Sequence, residues 1–229
     1  MALNIIDDIK VDLDASAIAK KLKVGKGGAS LLDRFHRLVD EAVLIAKPKG
    51  AYRPVDFDIL GDDEVIIDGI HLKSRVLAVL LKDAHRVFPT VATCGREIAD
   101  WAAEKSELLE RYWLETILAE ILLCAMTHTG KRIAAAHALE KTAFMTPGDL
   151  DDWPIQEQKP LFAILGDIES AIGVRLMDSC MMDPRQSGSG ILFPTEIDFQ
   201  TCMLCLQKRC SKRRAAYDPD LYEKRFRKN

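Results

Sequence analysis

Three cysteines, Cys202, Cys205 and Cys210, stand in the pattern C-x2-C-x4-C, and they are the residues of this chain best spaced for chemistry. Thiolates two residues apart in a turn can face one metal ion, and the C-x2-C spacing serves zinc and iron–sulfur centres alike. The third thiolate, five residues on, can close the site. Three thiolates leave one position of a zinc ion or a four-iron cluster unfilled, so a distant cysteine is expected to complete it. Cys180 is the nearest in sequence and Cys94 is the other candidate, whereas Cys124 lies in an apolar helical run and reads as core. The missing His and the missing second C-x2-C count against ordinary zinc-finger frameworks, which puts iron–sulfur ahead of zinc. Arg209, Lys212 and Arg213 beside the thiols would favour thiolates and offset the charge of an anionic cluster. The competing reading is three unligated thiols on a helix or loop.

Other chemistry is poorly supported. The five histidines form no close ligand pair, and no G-x-S-x-G motif points to a hydrolase. The glycines at 25, 27 and 28 match no complete phosphate-loop pattern and read as a plain turn.

The elements that must position the cysteines follow from periodicity. Ile9, Val11 and Leu13 alternate with charged residues and predict a short strand over 8–13, followed by a helix from Asp14 or Ser16 to about Lys23. A helix is expected over 31–46, a hairpin from the runs 51–60 and 64–70, a short helix over 75–81 and a strand over 86–94. A long helix over 105–127 and a second over 131–141 are expected on either side of Gly130. Residues 146–154 read as a loop with turn chemistry at both ends. One helix is expected from Leu161 to Ile172. Strands over 174–182 and 191–194 then flank a Gly/Ser-rich turn over 183–190, in which Ser187 and Ser189 are expected to bond their own turn. Strands near both ends with helices between them predict one α+β domain over residues 1–200, an antiparallel sheet with several helices. Residues 201–229 form a Cys-rich, basic tail.

The 229 residues carry a net charge of −3, but 207–229 hold nine Lys/Arg against three acids, leaving −9 elsewhere. Such a tail fits nucleic acid or an acidic partner. Nucleic acid is not favoured, because no stacking aromatics alternate with the charges. The longest apolar run near the middle, residues 121–126, is far short of a membrane span. The first eight residues show no secretory pattern, so the expectation is a cytoplasmic protein whose thiols stay free to bind metal.

A family resemblance rests on residues 146–194. Pro147-Gly148 holds a loop, Gln158-Lys159-Pro160-Leu161-Phe162-Ala163-Ile164-Leu165 starts a helix, and Ile172-Gly173-Val174-Arg175-Leu176-Met177-Asp178-Ser179 fits a strand. Met182-Asp183-Pro184-Arg185-Gln186-Ser187-Gly188-Ser189-Gly190 fits the last motif, Met-x-Pro-x-x-Ser-x-Ser-Gly. In order and spacing these resemble the reactivation (activation) domain of cobalamin-dependent methionine synthase, here as a stand-alone homologue. The resemblance implies a protein that docks on a corrinoid-binding protein, such as a cobalamin domain of a methionine synthase. There it would act as an accessory to the methyltransferase, capping cobalamin while an electron and then a methyl group restore it. It also implies that Gly148, Pro184, Ser187, Ser189 and Gly190 shape the cofactor-facing site. In the family, S-adenosylmethionine is held by an Arg four residues before the loop glycine and a Tyr just after it. This chain has Phe144 and Asp149 there, so those contacts are not available. The cysteine triplet is not part of the family pattern. An iron–sulfur centre would supply the electron relay that reactivation needs. The alternative is a zinc-stabilised, non-enzymatic binding module with a basic tail.

Overall fold

The structure, a computed structural model, describes residues 2–210 and 213–227. Its first strand is β1 (Asn4–Ile6), earlier than the alternation over 8–13 predicts. Ile9 is buried and Val11 and Leu13 pack inward, but among the described residues no strand runs beside them. Alternation without a hydrogen-bonding neighbour does not make a strand. Helix α1 (Ala15–Leu22) starts at Asp14, whose carboxylate accepts from Ala17 N at 2.8 Å. Helix α2 (Ala29–Ile45) buries Phe35, Leu38, Val39 and Ala42, the predicted face.

Strand β2 (Lys49–Tyr52) leaves for the main sheet. A three-stranded antiparallel meander follows: β3 (Phe57–Leu60), β4 (Glu64–Ile67) and β5 (Ile70–Lys73). The expected hairpin is its first half. Next come α3 (Arg75–Leu80), the fully buried β6 (Phe88–Thr93), α4 (Arg96–Glu104) and α5 (Leu108–Ala136). The two helices expected around Gly130 are one. The glycine costs about 1 kcal/mol of helix propensity, which burial of Ala125, Thr129 and Ile133 around it offsets.

Helix α5 ends at Ala136, short of the expected Lys141, and strand β7 (Thr142–Met145), which the sequence did not predict, precedes the 146–154 loop. The single helix expected up to Ile172 is two, α6 (Gln158–Leu165) and α7 (Ile168–Ile172), because Asp167 accepts from Ser170 N at 3.0 Å and starts a second helix. Two short strands, β8 (Arg175–Leu176) and β9 (Met182–Asp183), pair with each other before the long β10 (Ser187–Pro194).

The five-stranded sheet runs β1-β2-β6-β10-β7, every pair antiparallel. One face, through Ala51, Val91, Met145, Ile191 and Phe193, shares a core with α3, α6, α7 and the meander. The other face, through Tyr52, Phe88, Ala92 and Leu192, packs on the second half of α5 at Ala125 and Ile133. The first half of α5 joins α1, α2 and α4 in a helical core around Phe35 and Trp113, whose rings meet edge to face at 5.3 Å. This is an α+β domain with an antiparallel sheet and several helices, as expected. Among the described residues no helix is long and apolar enough to cross a membrane.

Candidate functional site

The Gly/Ser-rich run is not the turn the sequence suggests. It turns only as far as Gln186, and Ser187 to Gly190 then lie inside β10, paired with β6 from Ser187↔Thr93 to Leu192↔Phe88. The glycine at 190 is required by packing. A Cβ there would meet the carbonyl oxygen of Met145 and sit 2.6 Å from the Phe144 ring. The small residues that read as a turn are the ones a crowded central strand needs. Ser187 donates to the Pro184 carbonyl at 2.7 Å, the expected bond within its own turn, and its hydroxyl meets Thr93 Oγ1 at 3.0 Å. Ser189 instead reaches α6, donating to Gln158 Oε1 at 2.6 Å. Both serines and Pro184 are buried, and the Asp183–Pro184 peptide is cis. These residues hold the strand and its approach in place.

The loop at 146–154 is tied at both ends. Gly148, at φ +94°, donates its N–H to the Trp153 carbonyl at 2.7 Å, and the Trp153 side chain is fully buried. The positive φ favours glycine at 148. Asp152 accepts from Ser74 Oγ and from the N–H groups of Arg75 and Val76, so the loop also caps α3.

The tail folds back on this loop. Thr201 Oγ1 donates to the Phe144 carbonyl at 3.2 Å, Asp218 N to the Met203 carbonyl at 2.9 Å, and Phe226 is buried in the main core. Arg75 holds the end of the tail through the carbonyls of Phe226 and Arg227. Two depressions result. A groove of about 300 Å³ on the α5 side is lined by Phe144, Gly188, Leu192, Met126, Lys131 and Arg214. A cleft of about 470 Å³ lies between loop and tail, lined by Asp149, Leu204, Cys205, Tyr217, Asp218 and Tyr222. Burial away from water raises the Asp149 carboxyl above its ordinary value, with the Arg214 guanidinium pulling the other way. The two positions that depart from the family pattern, Phe144 and Asp149, are therefore the ones the tail addresses.

The structure does not draw the four proposed metal ligands into one cage. Among the described residues no three His, Cys, Asp or Glu side chains are placed to hold a metal ion. Cys202 and Cys205 are partly buried and Cys210 is exposed, all in the tail. Cys180 is buried in the β8–β9 turn, its N–H donating to the Met177 carbonyl at 2.9 Å. Cys94 is buried after β6, and burial pushes its thiol up to about 12. Cys124 is partly buried, with its thiol on the Lys10 carbonyl at 3.3 Å. Burial alone would also raise the Cys202 thiol. The N–H groups of Arg214 and Ala215 and the Arg214 guanidinium outweigh it and hold the thiol below its ordinary value. Lys212, grouped with Arg209 and Arg213 from the sequence, lies outside the described residues. Sequence reasoning missed what Arg213 and Arg214 do. The sequence put Arg213 beside the thiols as a source of charge, but its bonds to backbone carbonyls, and the approach of Arg214 to Cys202, were not legible in it.

Sheet order, the buried Ser187–Gly190 strand and the loop at 146–154 define an activation-domain-like α+β fold. No protein-family model matches the chain, and its sequence matches no curated protein. Among solved structures it is similar to the MetH reactivation domain, solved bound to AdoHcy, at 13% identity and a TM-score of 0.59, over 87% of this chain and 80% of that one. At that identity the likeness establishes the fold, the methionine synthase activation-domain-like fold that the motifs from Pro147 to Gly190 led one to expect.

Proposed function

We propose that this protein is an accessory factor that docks on the cobalamin-bearing domain of a methionine synthase or related corrinoid protein and assists its reductive reactivation. The observation that carries the proposal is the likeness to the MetH reactivation domain over 87% of the chain. The motif from Met182 to Gly190 supports it, because its Ser187–Gly190 part begins β10, and Gly188 there lines the groove. The cobalamin belongs to the partner. An electron from a one-electron donor outside this chain would return the oxidised cobalt to its reduced state; an iron–sulfur centre, were the thiols of Cys202, Cys205 and Cys210 to hold one, would supply a relay for it. The residues of this chain supply the docking face, with Gly148, Pro184, Ser187, Ser189 and Gly190 fixing its backbone.

The neighbour's AdoHcy does not carry the proposal. With Phe144 and Asp149 in place of the family's contacts, an S-adenosyl ligand in the groove would meet Arg214, which arrives from the tail. The test is to add the protein to a cob(II)alamin-loaded corrinoid domain with a one-electron reductant and follow the cobalt absorption. The expected result is a stable complex and faster loss of the cob(II)alamin band. No complex and no spectral change would sink the proposal.

A further inference from the structure

The stretch between Asp14 and Asp33 carries four lysines and no acid, in a chain whose net charge is −3. Lys21 turns to α5 and pairs with Glu120 at 2.9 Å. Lys20, Lys23 and Lys26 have no hydrogen bond or ion pair among the described residues. Lys20 stands in the last turn of α1, Lys23 at its left-handed cap with φ +58°, and Lys26 in the 3-10 turn (Val24–Gly27) that follows. All three line one depression of about 410 Å³, whose other wall is Leu32 and His36 of α2. No carboxylate lines it. Like charges around one space repel one another unless an anion lies between them. The cap also costs more with lysine than with glycine, the usual residue in a left-handed cap. Two further features suit an anion. Gly25 lines the depression with bare backbone, and nothing lies within 4 Å of where its Cβ would stand, so a ligand oxygen can come close. His36 has its Nε2 shut away from water without a partner. A buried N–H with no acceptor is costly, so the neutral ring keeps its proton on Nδ1, which can donate to a ligand.

We propose that this depression binds a small phosphomonoester, with the phosphate held by Lys20, Lys23 and Lys26 and the organic part lying against Ala19 and Leu32. A phosphomonoester carries a charge of about −1.5 to −2 at pH 7 and three strong acceptor oxygens. That matches three ammonium groups with no acid among them. At about 410 Å³ the space is within the range of small-molecule pockets, which leaves room for an organic group beside the phosphate. The site is not a phosphate loop of the glycine-rich kind, in which backbone N–H groups wrap the anion. Here the charge comes from side chains on α1 and the turn after it, and α2 supplies the apolar wall and the histidine. The depression shares no lining residue with the groove or the cleft described above, and the proposal borrows nothing from the corrinoid reading.

The test is a magnetic-resonance titration of the full isotope-labelled chain with phenyl phosphate, with inorganic phosphate and with phenol as the neutral control. Phenyl phosphate is expected to shift backbone amides within residues 16–36 and to bind more weakly as salt rises. Inorganic phosphate should bind the same place less tightly, and phenol should not bind. Lys20→Gln, Lys23→Gln and Lys26→Gln should each weaken binding about two- to fivefold, the scale of exposed charge pairs. The triple variant should lose it. Lys21→Gln, which removes a lysine already committed to Glu120, should bind as wild type. Circular dichroism checks that the triple variant is folded, and the single variants carry the test if it is not. Absence of shifts within 16–36, or single variants that all bind as tightly as wild type, overturns the site. Phenol shifting the same amides as strongly as phenyl phosphate overturns the role of the lysines. Inorganic phosphate binding as tightly as phenyl phosphate overturns the assignment to an ester. None of these results depends on the cob(II)alamin experiment.

Discussion

Strand β10 and the cysteine segment are both built from residues that sequence patterns call turn-like, yet they are held in opposite ways. The β10 backbone pairs with β6 from Ser187 to Leu192 and with β7 from Ile191 to Pro194, and Ser187 and Ser189 spend their hydroxyls on Pro184, Thr93 and Gln158. Support is spread over a whole sheet. The cysteine segment has no ladder among the described residues, and the Arg213 guanidinium ties together its carbonyls at Cys202, Cys205 and Gln207. The difference teaches where each region tolerates change. The strand is intolerant of volume, whereas the tail segment is intolerant of losing one particular functional group.

Thiol chemistry offers the largest contrast. In metal-free protein, Cys94 with its thiol near 12 should resist alkylation, since at pH 8 only about one molecule in ten thousand would carry the thiolate. Cys202, held below its ordinary value, should react readily and keep reacting at a lower pH than a free cysteine. Timed alkylation followed by peptide mass spectrometry reads both, and equal rates would erase the distinction between core and tail thiols. A volume change in the strand comes next. Gly190→Val puts a branched side chain against the Met145 carbonyl and the Phe144 ring, and should lower stability by about 3 kcal/mol or more in urea unfolding. A loss under about 1 kcal/mol would mean that the strand can move aside as a loop does.

The smallest effect is expected where the two regions meet. The Asp149 carboxyl is raised in the folded protein, so folding favours its protonated form. Its contribution is most favourable below the ordinary aspartate range and is lost as pH rises through the folded value. Asp149→Asn should flatten that part of the stability–pH curve and change neutral-pH stability by less than about 1 kcal/mol. A curve that keeps its slope would assign the effect to another carboxylate.

How much was legible beforehand follows the same division. Periodicity located α1 and α2, and punctuation located the loop at 146–154, because those signals are local. The hydrophobic run before Gly130 continued through it, since packing on the sheet overrode one poor helix former. Ser187–Gly190 read as a turn because nothing local reveals that Phe144 and Met145 press on position 190. The alternation over 8–13 misled for the mirror-image reason, having the pattern without a partner. At the candidate site, the cysteine spacing and the departures at Phe144 and Asp149 were visible as residue types. Their connection was not, because Thr201 and Arg214 reach those positions from more than fifty residues away.

The order of strands in the main sheet has a consequence for how the chain reaches this structure. None of its four pairings is a hairpin. β1 waits for β2, β2 for β6, and β10 must return to sit between β6 and β7. Each contact closes a long loop before it yields any stabilisation, which makes the folding rate slow for the domain's size. Helix α5, with 29 consecutive residues of local bonds, can form far sooner and present the surface on which the strands collect. Until β10 arrives, β6 and β7 keep open edges, so refolding should be most vulnerable to aggregation during that interval and should gain most from dilution.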